Sequence, residues 1–76
     1  MIDKVINYIS EYEDIDKSQL SADTDLIKDL DMTSLSLMQI CCQAEEELEI
    51  EIPVEEIYGL NTIGELAKFL EELINN

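Results

Sequence analysis

The sequence predicts an all-α fold, a bundle of three longer helices and one short helix with a long first loop. Three segments repeat apolar residues at helical spacing. Start signals precede the second and the last of these segments. The one strand-like alternation, residues 49–52, is too short to form a sheet and has no partner segment.

The first helix is predicted from an apolar stripe near the start of the chain. Its members follow the i, i+3, i+4, i+7 spacing and are Ile2, Val5, Ile6 and Ile9, with Tyr12 able to extend them. The pattern fails within residues 13–16, where the helix should end. Residues 14–32 keep no period and are interpreted as a loop that isolated leucines pin across the bundle, with a short helical turn starting within 23–25.

The second helix is expected from Ser34 to Leu48, with Thr33 as its N-cap. Steps of about 100° per residue separate two faces. The predicted core stripe is Leu37, Ile40, Cys41, Ala44 and Leu48. The opposite face is Leu35, Met38, Gln39, Cys42 and Glu46. That face is apolar near the helix start and acidic further on, which makes it a candidate docking surface.

The second half of the chain is expected to hold an extended linker at residues 49–52 and two more helices. A short helix is predicted over Pro53–Tyr58, with Gly59 as its stop. Thr62 and Glu65 form a capping box that opens the last helix. The apolar stripe of that helix is Ile63, Leu66, Ala67, Leu70, Leu73 and Ile74.

Composition limits the possible functions. The 76 residues suffice for one small domain, expected to span residues 1–76. A net charge of −15 should repel nucleic acid and anionic membranes and attract basic partner surfaces. No apolar run is long enough to span a membrane, and residues 1–4 do not resemble a secretion signal. The two cysteines are adjacent and poorly placed for a disulfide, so a reduced, cytoplasmic setting is expected. A monomer is expected because nothing in the sequence demands a larger assembly.

The residue types argue against catalysis by the chain alone. The sequence has no histidine, which excludes histidine-based triads and metal sites. The acids of residues 23–31 lack the glycine and the closing glutamate of a calcium-binding EF-hand loop, so no metal site is predicted. Cys41 should pack in the core, and Cys42 has no neighbour that would activate it. We therefore expect a protein that is not an enzyme.

Ser34 stands where the acidic loop ends and the most apolar helix begins. A hydroxyl at a helix start lies beside unpaired backbone N–H groups and the positive end of the helix dipole. An anion attached to that hydroxyl would be stabilised there. The local pattern alone favours an ordinary capping or first-turn serine, and it is the whole arrangement of acidic loop, serine and apolar helix that points to an attachment site.

The chain resembles the acyl carrier proteins over almost its whole length. The residues that carry the resemblance are Asp25-Leu26 with Leu30, Thr33-Ser34-Leu35, residues 45–53 and residues 62–66. The resemblance implies a four-helix acyl-carrier-like bundle in which Ser34 carries 4′-phosphopantetheine. It further implies that a phosphopantetheinyl transferase supplies this group from coenzyme A, and that the arm holds acyl groups as thioesters.

The sequence departs from the family pattern around this serine. Thr33 stands where the family usually has aspartate, and Asp31 where glycine is common. Ser36 and Gln39 replace acids near the start of the second helix. Because such acids usually meet basic residues of partner enzymes, these departures indicate a specialised carrier with different partners.

The predicted function is therefore carriage of acyl intermediates for fatty-acid, polyketide or related biosynthesis. The expected partners are the transferase and acyl-transfer enzymes with basic docking surfaces. Partner docking is predicted at Thr33, Leu35, Met38, Gln39, Cys42, Glu45 and Glu46. The candidates for an acyl pocket, which are otherwise ordinary core residues, are Cys41, Ala44, Ile52, Ile57, Ile63 and Ala67. The alternative function is an unmodified acidic module that docks a basic partner through the start of the second helix.

Overall fold

Four α-helices make up the fold of this computed structural model, which describes residues 1–75. The helices are α1 (Ile2–Glu13), α2 (Ser34–Leu48), α3 (Val54–Ile57) and α4 (Ile63–Asn75), with a 3₁₀ turn at Lys17–Gln19. Over residues 1–75 there is no β-strand, and the one backbone bridge joins Asp25 to Thr62. The predicted all-α bundle of three longer helices and one short helix is confirmed.

One hydrophobic core joins the helices to the long first loop. α1 packs against both α2 and α4, and α3 packs against α2. The buried core side chains are Val5, Tyr8, Ile9, Leu20, Leu26, Met32, Leu37, Ile40, Cys41, Ala44, Ile52, Ile57, Ile63, Leu66, Ala67 and Leu70. The core stripe predicted for α2 is confirmed, with Leu48 half-buried at its end. Burial of these apolar groups is the main force that holds such a small bundle together.

The apolar stripe predicted for α1 is wrong at its two ends. Ile2 is 39% exposed and Tyr12 is 41% exposed, whereas Tyr8 is buried. The buried residues Val5, Tyr8 and Ile9 are spaced i, i+3 and i+4, so the buried face of α1 is a single stripe displaced around the helix from the predicted one. The helix ends as predicted, at Asp14, which adopts a left-handed conformation with φ 57°.

We expect Tyr8→Phe to flatten the alkaline loss of stability. The Tyr8 hydroxyl is buried without a hydrogen-bond partner within residues 1–75. Its burial, with Glu47 as a smaller cause, raises the pKa of Tyr8 to about 12. Because the pKa of Tyr8 is raised in the folded protein, the folded state keeps its full stability while the pH is below the ordinary tyrosine pKa of 10.0. It loses stability as the pH rises above that value and through about 12.

Urea unfolding of the wild type and the variant at neutral pH and near pH 11 measures this effect. The variant should match the wild type at neutral pH, because phenylalanine removes a buried hydroxyl without removing the ring. Tyr12→Phe, at an exposed tyrosine, is the matched control. An unchanged alkaline slope in Tyr8→Phe would contradict the explanation.

The first loop is fixed to the start of α4 by backbone hydrogen bonds. These bonds run from the amide of Leu26 to the carbonyl of Asn61 (2.8 Å), from Ile63 to Thr24 (3.0 Å) and from Gly64 to Ala22 (2.9 Å). A Cβ atom at Gly64 would lie 3.0 Å from the Ala22 carbonyl oxygen, so a larger residue here would push the Ala22 backbone away by a few tenths of an ångström. The prediction that apolar residues pin the loop is confirmed, because Leu20 and Leu26 are buried.

The second half of the chain differs from the sequence-based prediction in small ways. The linker begins with Glu49 in a left-handed conformation (φ 55°) that ends α2, so this residue is not extended. α3 is shorter than predicted, with Pro53 and Tyr58 as its caps. Gly59 directly follows that cap, as the predicted stop should, although its φ is not positive.

The capping box at the start of α4 is confirmed, although the Glu65 carboxylate bonds to a different backbone amide from the one expected. The Glu65 amide donates to the Thr62 hydroxyl at 3.2 Å, as predicted. The Glu65 carboxylate accepts from the amide of Asn61 at 2.9 Å, one residue before the expected cap amide. α4 therefore begins where the sequence placed it. Among the helices described, none combines the length and apolarity needed to cross a membrane.

Candidate functional site

Ser34 is the first residue of α2, and its side chain is exposed. The amides of a first helical turn have no carbonyl partner one turn earlier, and they point toward the positive end of the helix dipole. An oxygen placed here is therefore accessible to another protein and lies in a favourable field for a negative group.

Thr33 provides the N-cap that the sequence predicted. Its backbone is extended, and its hydroxyl accepts a hydrogen bond from the Ser36 amide at 3.2 Å. The Ser36 hydroxyl lies 3.2 Å from the same threonine oxygen and is half-buried. Of the two serines in this turn, Ser34 is thus the freely exposed one and Ser36 belongs to the cap.

A hydrogen-bonded turn leads the loop into α2. The Asp25 carboxylate accepts from the amides of Ile27 (2.9 Å) and Lys28 (2.8 Å). The Asp29 carboxylate accepts in return from the Asp25 amide at 2.8 Å. The bond from Lys28, followed by that from Ile27, holds the pKa of Asp25 below its ordinary value and so keeps the carboxylate ionised. The Asp29 amide also donates to the Asp25 carbonyl at 3.1 Å, so the predicted helical turn is present as a single turn that starts at Asp25.

Asp31 redirects the chain from this turn into α2. Its φ is 53°, in the left-handed region that favours glycine. The next residue, Met32, is buried and donates its amide to the Leu26 carbonyl at 3.1 Å. The reversal at Asp31 and the anchor at Met32 together set where Thr33 and Ser34 begin the helix.

Because both variants remove the same charge, Asp31→Gly and Asp31→Ala isolate this backbone effect. We expect the glycine variant to be the more stable by about 1 kcal/mol, since a Cβ atom in the left-handed region costs about 1–2 kcal/mol. Urea unfolding measures the difference. In the last turn of α2, where the backbone is helical, Glu46→Gly and Glu46→Ala should rank in the opposite order. Equal stability of the two Asp31 variants would argue against the left-handed conformation.

The residues predicted to dock partners lie mostly on one exposed face of α2. Leu35 is 63% exposed and Met38 is 38% exposed. The other exposed members of the set are Thr33, Gln39, Cys42 and Glu46.

Glu45 differs from the rest of the predicted docking set, because it is half-buried and its carboxylate accepts from the Ile52 amide at 2.9 Å. That bond ties the end of α2 to the linker. The pairing was missed in the sequence, because the two residues lie in different elements and follow no shared period.

The six predicted acyl-pocket residues all lie in the common core. Each is at most 5% exposed, and the set is Cys41, Ala44, Ile52, Ile57, Ile63 and Ala67. Burial, with smaller effects from Cys42 and Glu45, raises the pKa of the Cys41 thiol to about 12, so this thiol is protonated at neutral pH. Ile52 also lines a surface pocket of about 300 Å³ with Glu51 and Pro53. Entry of an acyl chain among these residues stays a prediction.

The loop acids contribute to the fold. Asp25 and Asp29 direct carboxylate oxygens to backbone amides. Among the residues that the structure describes, no three metal-ligating side chains come together.

The fold and this site define a small helical carrier that presents one serine at the head of its second helix. A family model described as "Phosphopantetheine attachment site" matches residues 3–70. The chain therefore belongs to the acyl carrier protein family, whose prosthetic group is 4′-phosphopantetheine. The residues fit such a group, because Ser34 is exposed and the turn that bears it begins a helix of 15 residues.

Similar proteins include carriers from several bacteria. An acyl carrier protein of Clostridium perfringens is 31% identical over 72 residues, with 95% of each chain covered. An acyl carrier protein of Rhodococcus erythropolis is 31% identical over 65 residues, which is 86% of this chain and 71% of the relative. A meromycolate extension acyl carrier protein of Mycobacterium leprae is 30% identical over 69 residues. That match covers 91% of this chain and spans 60% of the length of the relative.

Proposed function

We propose that Ser34 carries the 4′-phosphopantetheine arm and that the chain delivers acyl intermediates for fatty-acid, polyketide or related biosynthesis. The observation that carries the proposal is the exposed Ser34 side chain at the start of α2, inside the matched segment. When bound, the arm supplies a thiol that holds acyl groups as thioesters.

The first turn of α2 would hold the phosphodiester. Its unpaired amides and the helix dipole stabilise a negative group by about 0.3–1 kcal/mol at an exposed position. Thr33 caps the helix with a neutral hydroxyl, so the residue next to Ser34 adds no repulsion. Asp31 is the nearest acid before the serine in the sequence and lies outside the helix.

The chain is proposed to act as a carrier while partner enzymes supply the catalysis. The sequence has no histidine that could act as a general base. The buried Cys41 thiol is protonated at neutral pH and so does not act as a nucleophile. The transferase and the acyl-transfer enzymes are proposed to dock at the exposed face of α2. The net charge of −15 attracts basic surfaces on those enzymes and accelerates their approach.

The six buried pocket candidates are proposed to make room for the acyl chain. Their side chains come from α2, the linker, α3 and α4, and small shear movements between packed helices can open such a core. An acylated form should therefore show chemical-shift changes at these residues that the unacylated holo form lacks. Changes confined to the surface would remove this part of the proposal.

Modification of the protein by a broad-specificity phosphopantetheinyl transferase tests the proposed function. The intact mass should increase by one phosphopantetheinyl group when coenzyme A is present, and fragmentation should place the group on Ser34. Omission of coenzyme A is the control. Placement on Ser36 would move the site, whereas an unmodified protein beside a fully modified reference carrier would favour the unmodified acidic module.

A further inference from the structure

A polar pocket between α1 and α2 lies apart from the candidate attachment site. Its volume is about 250 Å³, and its lining residues are Lys4, Asn7, Tyr8, Glu11, Gln43 and Glu47. On α2, Gln43 and Glu47 lie nine and thirteen residues beyond Ser34, which is about 14 and 20 Å along the axis at about 1.5 Å per residue. Pockets for drug-sized molecules measure about 300–1,000 Å³, so this pocket suits a smaller ligand.

Each of the two helices contributes one stripe of side chains to the pocket. Lys4, Tyr8 and Glu11 are spaced i, i+4 and i+7 on α1. Gln43 and Glu47 are spaced i and i+4 on α2. Residues at these spacings share a helix face. Lys4, Glu11 and Glu47 are exposed, so a molecule in solution can reach the pocket.

Tyr8 is the buried residue of the lining. It is 4% exposed, and its hydroxyl has no hydrogen-bond partner within residues 1–75. Glu47, on the other helix, contributes to the raised pKa of this hydroxyl, so the phenol end of the ring lies toward the pocket. A buried hydroxyl without a partner destabilises a fold, and a ligand that bonds to it would remove this effect.

The charges of the lining favour a cationic ligand. One lysine stands against two glutamates, which gives the lining a net charge of −1 in a chain of net charge −15. Within residues 1–75, neither Glu11 nor Glu47 forms an ion pair with a lysine. A primary ammonium group has three N–H donors and no acceptor. Its donors match the three oxygen-bearing groups of Tyr8, Glu11 and Glu47.

We propose that the pocket between α1 and α2 binds a small primary amine in its protonated form. The ammonium group donates hydrogen bonds to the Tyr8 oxygen and to the carboxylates of Glu11 and Glu47. Lys4 and Glu47 are long, exposed side chains that rotate within nanoseconds, so they can move aside and admit the ammonium group to the hydroxyl. The site does not depend on attachment of a group at Ser34.

Titration of the ¹⁵N-labelled protein with n-butylammonium chloride, followed by NMR at neutral pH and about 0.15 M NaCl, tests the proposal. The side-chain amide signals of Asn7 and Gln43 should shift and saturate with a Kd of about 1 mM. Tetramethylammonium has the same charge but no N–H donor, so it should bind about tenfold more weakly. Equal binding of the two cations would overturn the inference, and so would saturation by acetate in place of n-butylammonium.

Two variants of the lining, each with a matched control, separate the pocket from general attraction to an acidic protein. Tyr8→Phe and Glu47→Gln each remove one partner of the ammonium group and should raise the Kd for n-butylammonium by about tenfold. Tyr12→Phe and Glu46→Gln make the same changes outside the lining and should alter the Kd by about twofold or less. Circular dichroism confirms that each variant is folded. Equal effects of a variant and its control would refute the site and leave the proposed function at Ser34 untouched.

Discussion

Replacement of Ser34 by alanine is expected to abolish modification by a phosphopantetheinyl transferase. The hydroxyl oxygen is the atom that would bond to the phosphorus, and alanine has no replacement for it. The first-turn side chain of Ser34 is exposed, and the cap of α2 is made by Thr33 and Ser36. The variant should therefore keep its helical circular dichroism and its melting temperature while its intact mass stays that of the apo protein.

Ser36→Ala is the control for this experiment. Its hydroxyl lies 3.2 Å from the Thr33 oxygen, so alanine removes one contact within the cap and leaves the Ser34 hydroxyl in place. We expect complete modification of Ser36→Ala and a small loss of stability. Modification of Ser34→Ala to the wild-type extent would show that another side chain accepts the arm.

The neutral cap at Thr33 lies next to the proposed attachment site. A capping hydroxyl satisfies the Ser36 amide as an aspartate would, but without adding charge beside the phosphodiester. The same substitution of charge by neutral groups continues through Ser36 and Gln39. The first three turns of α2, like the cap, therefore carry no charged residue.

The sequence was sufficient to predict the helices and much of the core. α2 begins and ends at the predicted residues, because a threonine cap precedes a regular apolar stripe. Tyr8 was missed because the stripe was begun at Ile2, although Val5, Tyr8, Ile9 and Tyr12 follow the same i, i+3, i+4, i+7 spacing and the buried residues belong to that second stripe. The left-handed backbone at Glu49 was also missed, because nothing in its side chain demands that conformation.

The candidate site was predictable in part. A local pattern places Ser34 at a helix start, but only the resemblance to a carrier family distinguishes it from an ordinary first-turn serine. The role of Asp31 becomes clear in the structure, where its φ of 53° lies in the left-handed region that glycine adopts without strain. The bond from Ile52 to Glu45 joins two elements and had no signal in the sequence.

The loop residue Leu26 is expected to be as important for stability as a helix core residue. Its side chain is fully buried, and its backbone bonds both to Asn61 before α4 and to Met32 before α2. Leu26→Ala should lower the free energy of unfolding by about 2–5 kcal/mol, because truncation leaves a cavity at the junction of loop and bundle. At about 4–8 °C per kcal/mol for a domain of this size, the melting temperature should fall by at least about 8 °C.

The adjacent residue provides the matched control, since Ile27 has a side chain of the same size that is 48% exposed. Ile27→Ala should change the free energy of unfolding by about 0.5 kcal/mol or less. The contrast tests whether the loop is an integral part of the core. If the loop were mobile and not packed on the bundle, Leu26→Ala and Ile27→Ala would change the free energy of unfolding by similar amounts. Slower modification of Leu26→Ala at a temperature where it stays folded would further indicate that the buried leucine positions the turn preceding Ser34. Unchanged modification would limit the role of Leu26 to stability.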